Sequence, residues 1–227
     1  MGGEMVGVKG GARGQARRER ARATRRRMLE AAYGEFSESG WTATTMAAIA
    51  ARAGVAVQTV HFTFHTKARL LQEVVEMAAA GEDEPVPVGE RPWVKTAEAA
   101  PDGRRMLALL VEHGTEIRRR VAPLAGAIQA AASVEPEVAA YWRAVTEGRR
   151  AGLRHLVELL ASRGQLRPGL EVQRAADILH VLHGPETFLA FTAGCGWSVA
   201  DFKAWQYATL CAQLLGDDNG PPSTPDA

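Results

Sequence analysis

Apolar residues recur at three- and four-residue spacing along most of the chain, which is the period of an amphipathic α-helix. This spacing predicts a first helix over residues 15–39, and Gly40 is the type of residue at which a helix ends. Short helices are predicted at 46–53 and 57–64, and a longer helix continues towards Ala80. Because no segment shows the two-residue alternation of a strand, we predict an all-α fold.

Residues 81–101 contain four prolines and little periodicity, so we expect a linker or long loop there. Helical periodicity resumes over 102–215, with Pro136 early in a long helix to about residue 162 and an irregularity at Gly184-Pro185. Residues 216–227 contain three further prolines and are expected to be disordered. These patterns divide the chain into five parts: a basic and partly disordered arm (1–23), an amino-terminal domain (24–80), the linker (81–101), a second helical domain (102–215) and the tail (216–227).

Charge is distributed unevenly between the two domains. Residues 1–70 hold 12 basic and 5 acidic side chains, a net +7, whereas the remainder holds 15 and 21, a net −6. The range Lys9–Arg27 contains nine basic residues and the single acid Glu19. Such an excess attracts a polyanion, although a solvated tail would have the same composition.

The composition excludes several classes of protein. A chain of 227 residues with 46% hydrophobic and 23% charged residues is typical of one large globular domain or two small ones. The longest stretches without a charged residue, such as 121–134, cover 14 positions, below the roughly 18 that a membrane-spanning helix needs. The amino end has no apolar run typical of a secretion signal, and Cys195 and Cys211 lack zinc-site spacing, so we expect a cytoplasmic protein.

The informative segment is a short helix, a turn at Gly54 and a second short helix, preceded by a basic helix. This order is typical of a helix-turn-helix, in which the second helix enters a DNA major groove about 12 Å wide. Val60 and Phe64 lie four residues apart and are expected to face the core. Gln58 can pair bidentately with adenine and Val57 can contact a thymine methyl, so these two are the candidates for base reading. The candidates for phosphate contact are Thr45, Thr59, His61, Thr63 and Lys67.

Residues 24–75 resemble the DNA-binding domain of the tetracycline-repressor (TetR) family of transcriptional regulators. The matching elements are LEAAYGEFSESGW for the first helix, TTMAAIAARAGV for the supporting helix and turn, and VQTVHFTFHTKARLL for the recognition helix and the start of the fourth. Three positions depart from the family pattern, which usually has a serine or similar cap at Ala56, a tyrosine at His61 and a histidine at Thr63. The side chain of Ala56 cannot accept a capping hydrogen bond. We therefore expect the recognition helix to be less stable, by on the order of 1 kcal/mol, than one with a serine cap.

The resemblance implies a dimeric regulator, more often a repressor than an activator, that binds a palindromic operator and is released by a small-molecule effector. It also implies that the second domain holds the effector cavity and the dimer contact. Ordinary packing in the core of the second domain would also explain the residues that are named next for these two roles. The candidate pocket residues are Met106, His113, Ile117, Ile128, Trp142 and His183. The candidate dimer residues are Phe202, Trp205, Ala208, Thr209 and Ala212.

Asp177, His180, His183 and Glu186 recur every three residues, as in a possible metal or acid/base row. Each step of three residues turns about 300° around an α-helix, which is about 60° short of a full turn. After three such steps Asp177 and Glu186 lie on opposite sides of the helix. We therefore expect no catalytic site, metal or cofactor. Two alternatives stay open: a DNA-binding factor without an effector, and an α-helical enzyme or metal carrier that uses His180 and His183.

Overall fold

The computed structural model describes residues 8–81 and 88–215, with side chains from Gly14 onward within these ranges. Apart from one isolated bridge between Leu166 and Leu215, all regular structure in the described residues is helical, as predicted. The α-helices are α1 (Val8–Ala43), α2 (Met46–Ala53), α3 (Val57–Phe64), α4 (Lys67–Ala80), α5 (Pro92–Glu98), α6 (Gly103–Val121), α7 (Ala125–Val134), α8 (Pro136–Ser162), α9 (Val172–Leu182), α10 (Pro185–Leu189) and α11 (Val199–Leu214).

Helix α1 begins at Val8, earlier than the periodicity near Gln15 predicted. The expected partly disordered arm is therefore helical from residue 8 to residue 23, while residues 1–7 lie outside the described residues. Alanine, arginine and glutamine are good helix formers, so the helix extends beyond the stripe that packs on the core. The predicted stop is present, because Gly40 has φ 72° and ψ −173° and interrupts the helical backbone.

The chain divides into two units, and the first comprises Met1–Met77 together with Leu124–Ala139. Met28, Phe36, Ile49, Val60 and Phe64 are fully or almost fully buried and belong to its core. Helix α7 packs against α1 within this unit. The structure therefore groups residues 124–139 with the first unit, whereas the sequence pattern assigns them to the second domain. The local pattern of α7 identifies a helix but not the surface on which it packs.

The second unit comprises Ala78–Pro123 and Ala140–Ala227, of which residues 216–227, including the expected disordered tail, lie outside the described residues. Its apolar core is formed by buried side chains of α6, α8, α9 and α11. The expected linker is not a plain loop. It contains a 3₁₀ turn at Val88–Glu90 and helix α5, whose Ala97 is fully buried. Pro92 occupies the first turn of α5, where a missing N–H costs nothing, so the proline starts a helix there.

The carboxyl-terminal helices are interrupted where the sequence predicts an irregularity. The irregularity predicted at Gly184-Pro185 is present: α9 ends at Leu182 and α10 begins at Pro185, followed by a π-helical stretch, Ala190–Gly194. Ser198 caps α11, since its hydroxyl accepts from the backbone N–H of Asp201 at 3.1 Å. No helix in the described part of the chain is long and apolar enough to cross a membrane.

Candidate nucleic-acid interface

The turn between α2 and α3 is built from local signals. The hydroxyl of Thr45 caps α2 by accepting from the backbone N–H of Ala48 at 3.0 Å. Gly54 ends α2 in the left-handed region with φ 65°, a conformation that a side chain would strain. The N–H of Val55 donates to the carbonyl of Ala50 at 3.0 Å and closes the turn. The sequence therefore fixes the path of the chain from the supporting helix into α3.

Helix α3 has a buried face and an exposed face, as predicted. Val60 and Phe64 are fully buried and fix its orientation on the core. Gln58 and His61 are exposed, while Val57, Thr59 and Thr63 are half-buried. The side chains proposed for base reading thus lie on the part of α3 that solvent, or a DNA groove, can reach.

Phe62 is a residue that the sequence analysis missed. It is 85% exposed, the most exposed of the large hydrophobic side chains in the described residues. It follows Gln58 by four residues, so both lie on the same face of α3. The four-residue spacing from Gln58 is visible in the sequence and is the signal that could have identified it. An exposed ring on this helix can make apolar contact with a thymine methyl group.

Both ends of α3 carry a local defect. Ala56 is its N-cap, with φ −68° and ψ 144°, and no side chain accepts a hydrogen bond there, as predicted from the sequence. At the other end His65 has φ 62°, the only positive φ of a non-glycine residue in the described part of the chain. With ψ −58° and a hydrogen bond of 2.7 Å from the N–H of Thr66 to the carbonyl of Phe64, His65 is the centre of a γ-turn, a rare and strained conformation. The exposed helix is therefore held by Val60 and Phe64 more than by its own termini.

Two of the predicted phosphate contacts are already engaged within the protein. The hydroxyl of Thr63 donates to the carbonyl of Thr59 at 2.7 Å, so its one proton is committed to the helix. The ammonium of Lys67 donates to the carbonyls of Trp41 and Thr44, at 2.8 and 3.0 Å. A phosphate contact by Thr63 would require the present bond to be exchanged.

Lys67 also lies 4.0 Å from the centroid of the Trp41 ring, a cation–π distance. Burial lowers the pKa of its ammonium, and the charge of Glu135 acts in the opposite direction. The sequence placed Lys67 at the start of α4 as a free positive charge. The tertiary structure makes it the group that satisfies carbonyls at the end of α1, with one N–H left for a phosphate.

Charged pairs fix the helices that support α3. Arg52 of α2 binds both carboxylate oxygens of Glu38, at 2.7 and 2.8 Å, and lies 3.3 Å from Glu35. The hydrogen bonds from Arg52 hold the pKa of the Glu38 carboxyl below its usual value. Arg25 lies 4.7 Å from the centroid of the Phe64 ring and is ion-paired with Glu73. Arg25 is thus part of the scaffold.

The rest of the basic segment is open to solvent. Every described side chain from Gly14 to Ala23 is exposed, including Arg17, Arg18, Arg20 and Arg22. Their charges lie on the amino-terminal part of α1, in the same unit as α3. This exposed positive helix and the exposed face of α3 are the two elements that a polyanion can contact.

The candidate pocket residues are not brought together as one set. Ile128 lies on α7 in the first unit, where it is buried. Met106 is fully buried in the core of the second unit, and His183 is buried as well. His113 stacks on Trp93, with ring centroids 5.0 Å apart and an interplanar angle of 14°. Ile117 and Trp142, the other two candidates, are half-buried.

A groove of about 780 Å³ runs between α9 and α11, and none of these six residues lines it. Of the candidate dimer residues, Thr209 lines this groove, Ala208 and Ala212 are exposed, and Trp205 is half-buried. Phe202 contradicts the predicted surface role, because it is fully buried against Phe188. Its neighbours in space come from α10, which the stripe pattern of α11 could not indicate.

The row of acidic and histidine side chains on α9 does not converge. Asp177 accepts hydrogen bonds from Gln173 and Arg150, which lower the pKa of its carboxyl and engage it away from the histidines. Among the described residues no three His, Cys, Asp or Glu side chains are grouped as metal ligands.

A supporting helix, a left-handed glycine turn and a second helix with an exposed polar face define a helix-turn-helix DNA-binding protein. Residues 28–74 match the family model of bacterial regulatory proteins, tetR family. This match confirms the resemblance found in residues 24–75. The predicted class, a DNA-binding transcriptional regulator, is confirmed with it. A search of curated protein sequences found no significant match.

Solved structures show the same fold over most of the chain. A putative transcriptional regulator from Saccharomonospora viridis, in complex with choline, has a TM-score of 0.67 and 18% identity, covering 86% of this chain and 98% of its own. SmeT, the repressor of the Stenotrophomonas maltophilia multidrug efflux pump SmeDEF, has a TM-score of 0.62 and 19% identity, with 89% and 96% coverage. NalD, the secondary repressor of the MexAB-OprM multidrug efflux pump in Pseudomonas aeruginosa, has a TM-score of 0.56 and 22% identity. The match covers 88% of this chain and 98% of NalD.

Proposed function

We propose that this protein is a cytoplasmic, dimeric repressor that binds a palindromic operator and releases it when a small-molecule effector binds the second unit. The observation that carries the proposal is the division of α3 into a buried face, with Val60 and Phe64 at 0% exposure, and an exposed face. A helix held in this way can enter a major groove without unfolding its own core.

Gln58 and Val57 read bases in this proposal, Phe62 adds an apolar contact to a thymine methyl, and Thr45, Thr59 and His61 contact phosphates. Two copies of α3 related by a two-fold axis would occupy successive major grooves about 34–36 Å apart. The exposed arginines of α1 add phosphate neutralisation, which makes binding depend steeply on salt.

Helix α4 is the proposed connection between effector and DNA. Its residues to Met77 belong to the first unit and Ala78–Ala80 to the second. Within the second unit the guanidinium of Arg120 donates to the carbonyls of Ala78 and Ala79, at 2.8 and 3.1 Å. An effector that displaces α6 therefore pulls on the end of α4. A ligand has this effect only if it binds one arrangement better than the other.

An effector is supported by the solved relatives of this fold. One was crystallised with choline, and SmeT was also crystallised with triclosan. For the dimer, Trp205, Ala208, Thr209 and Ala212 follow one another at three- and four-residue spacing on one face of α11. With this face and the groove against α9, the second unit offers a surface for a second copy of the chain.

Selection of DNA from a random pool by the purified full-length protein tests the proposal. We expect enrichment of an inverted repeat whose half-sites are centred about one helical turn apart, bound by one dimer. Binding should weaken strongly between 50 and 200 mM salt. Val60→Asp, which places a charge in the buried face of α3, controls for the fold, and Arg143→Ala on α8 is an exposed control in the other unit. Enrichment of no sequence would refute the proposal.

A further inference from the structure

The second unit contains an arginine that is buried without an acidic partner. Arg118 of α6 is 8% exposed, whereas its neighbour Arg119 is exposed and paired with Glu116. In the part of the chain that the structure describes, no carboxylate lies within ion-pair distance of Arg118. Burial lowers the pKa of Arg118, and the positive charge of Arg149 lowers it further.

Neutral groups satisfy part of this guanidinium. Nη1 donates to the carbonyl of His183 at 3.1 Å, and Nη2 donates to Thr115 Oγ1 at 3.0 Å and Gln206 Oε1 at 3.1 Å. Thr115 and Gln206 are fully buried themselves. Hydrogen bonds to neutral oxygens replace those lost to water, but they do not supply the negative charge that a buried cation needs.

Three nitrogens of this region are buried with no hydrogen-bond partner: Arg118 Nε, His183 Nδ1 and His180 Nδ1. Arg149, half-buried, approaches the carbonyl of His183 at 3.5 Å with its own Nη1. Burial lowers the pKa of both histidines, and the charges of neighbouring arginines act in the same direction. The carboxylates of Glu186 and Asp177 act in the opposite direction on His180, and Glu186 also does so on Arg149, but neither acts on Arg118. Two arginines and several unsatisfied nitrogens thus meet where α6, α8 and α9 come together.

From this arrangement we infer that the Arg118 cluster, comprising Arg118, Arg149, His183 and Gln206, binds the carboxylate group of an anionic effector with an apolar body. The inference rests on the proposed effector response and names the chemical class of the ligand. A carboxylate matches the planar guanidinium and supplies the missing negative charge. The side chains of α6, α9 and α11 in the core of this unit are apolar but packed together, so the body of such a molecule must open its own space among them. A cation such as choline, the ligand of one relative, would be repelled here.

A purely structural explanation competes with this inference. The carbonyls of Leu182 and His183 lie at the end of α9 and accept hydrogen bonds from Gln206 and Arg118. In this explanation the cluster serves only to cap that helix. Capping explains the bonds of Nη1, but a neutral donor such as Gln206 performs the same task on Leu182 at 2.6 Å. It does not explain the unpartnered Nε or the approach of a second arginine.

Binding of two carboxylates, benzoate and hexanoate, by the full-length protein tests the inference, with the isosteric neutral amides benzamide and hexanamide, and choline, as paired probes. We expect the melting temperature to rise with the concentration of at least one carboxylate, as for a single site, and not with the amides, choline or matched sodium chloride. Arg118→Met should weaken carboxylate binding at least about tenfold. Arg163→Met is the matched control, since Arg163 also donates to helix-end carbonyls, those of Glu98 and Ala100, but is exposed.

The inference is overturned if neither carboxylate stabilises the wild type beyond the salt control, or if Arg118→Met responds as the wild type does. Should Arg118→Met not fold, Arg149→Met decides, because it leaves every bond of Arg118 intact; we expect weaker carboxylate binding, and an unchanged response overturns the inference. DNA binding separates the two levels. If carboxylates bind through Arg118 but the protein binds no operator, only the proposed function is refuted. If benzamide or choline releases the operator and carboxylates do not, only this inference is refuted.

Discussion

The missing cap of α3 leads to a quantitative prediction for Ala56→Ser. Ala56 has φ −68° and ψ 144°, and Ser198, the cap of α11, has φ −67° and ψ 154°. The hydroxyl of Ser198 accepts from the N–H three residues later at 3.1 Å. Ala56 is exposed and its backbone dihedrals match those of Ser198, but the N–H of Thr59 now donates to the carbonyl of Ala56 at 2.9 Å. An introduced hydroxyl caps the helix by taking over that N–H, as Ser198 does with Asp201.

A side-chain cap of this type contributes about 1 kcal/mol. For a chain of this size, that gain raises the melting temperature by about 2–4 °C if the protein unfolds in one transition. If fraying of α3 in the absence of DNA limits binding, the same 1 kcal/mol increases affinity up to about fivefold for each recognition helix, which is up to about 30-fold for a dimer on its operator. Stability and affinity should therefore rise together.

Thermal unfolding followed by circular dichroism measures the first effect, and hydrogen exchange of the amides at residues 57–59 shows whether α3 frays less. Thr45→Ala removes the existing cap of α2 and should lower stability by a similar amount. Ala47→Ser adds the same hydroxyl at an exposed position inside α2 and should bring no gain. If Ala56→Ser left both the melting temperature and the amide exchange unchanged while Thr45→Ala lowered stability, the capping argument for α3 would be refuted.

Four further results are expected. Gln58→Ala should reduce discrimination at one base pair of the operator by about 1–3 kcal/mol, measured with single-base operator variants. Phe62→Ala should reduce the preference for thymine over uracil, which lacks the methyl group, while leaving stability unchanged because the ring is exposed. Lys67→Ala should destabilise the protein by about 1.5–3 kcal/mol in urea unfolding, since two carbonyls lose a charged donor. The free energy of unfolding should fall as pH drops below about 6.5, because burial lowers the pKa of His183 and the unfolded chain binds a proton that the folded chain excludes.

Each of these expectations has a contradicting outcome. Equal loss of affinity for all operator variants would assign Gln58 to phosphate, and an unaltered thymine preference would remove Phe62 from the interface. A flatter salt slope of DNA binding with unchanged stability would make Lys67 a phosphate ligand after all. A pH dependence that persists in His183→Gln would have to come from other groups.

The helical period, the glycines at turns and the capping hydroxyls are local signals, and the sequence was sufficient to predict them. Gly40 takes the positive φ value that interrupts α1, Gly54 takes the one that ends α2, and Thr45 caps α2. The same period correctly divided α3 into Val60 and Phe64 inside and the polar residues outside. These features depend on the residue and its neighbours within one turn, so no knowledge of distant packing was needed.

What the tertiary structure alone decided was which surfaces face each other. Arg118, Arg119 and Arg120 are identical and consecutive, and only the packing of α6 makes the first buried while the second stays exposed. Phe62 and Phe64 are likewise the same residue type, yet one lies in solvent and the other in the core. Burial depends on elements that are distant in sequence, since a helix period gives the directions of side chains but not the partner on each side.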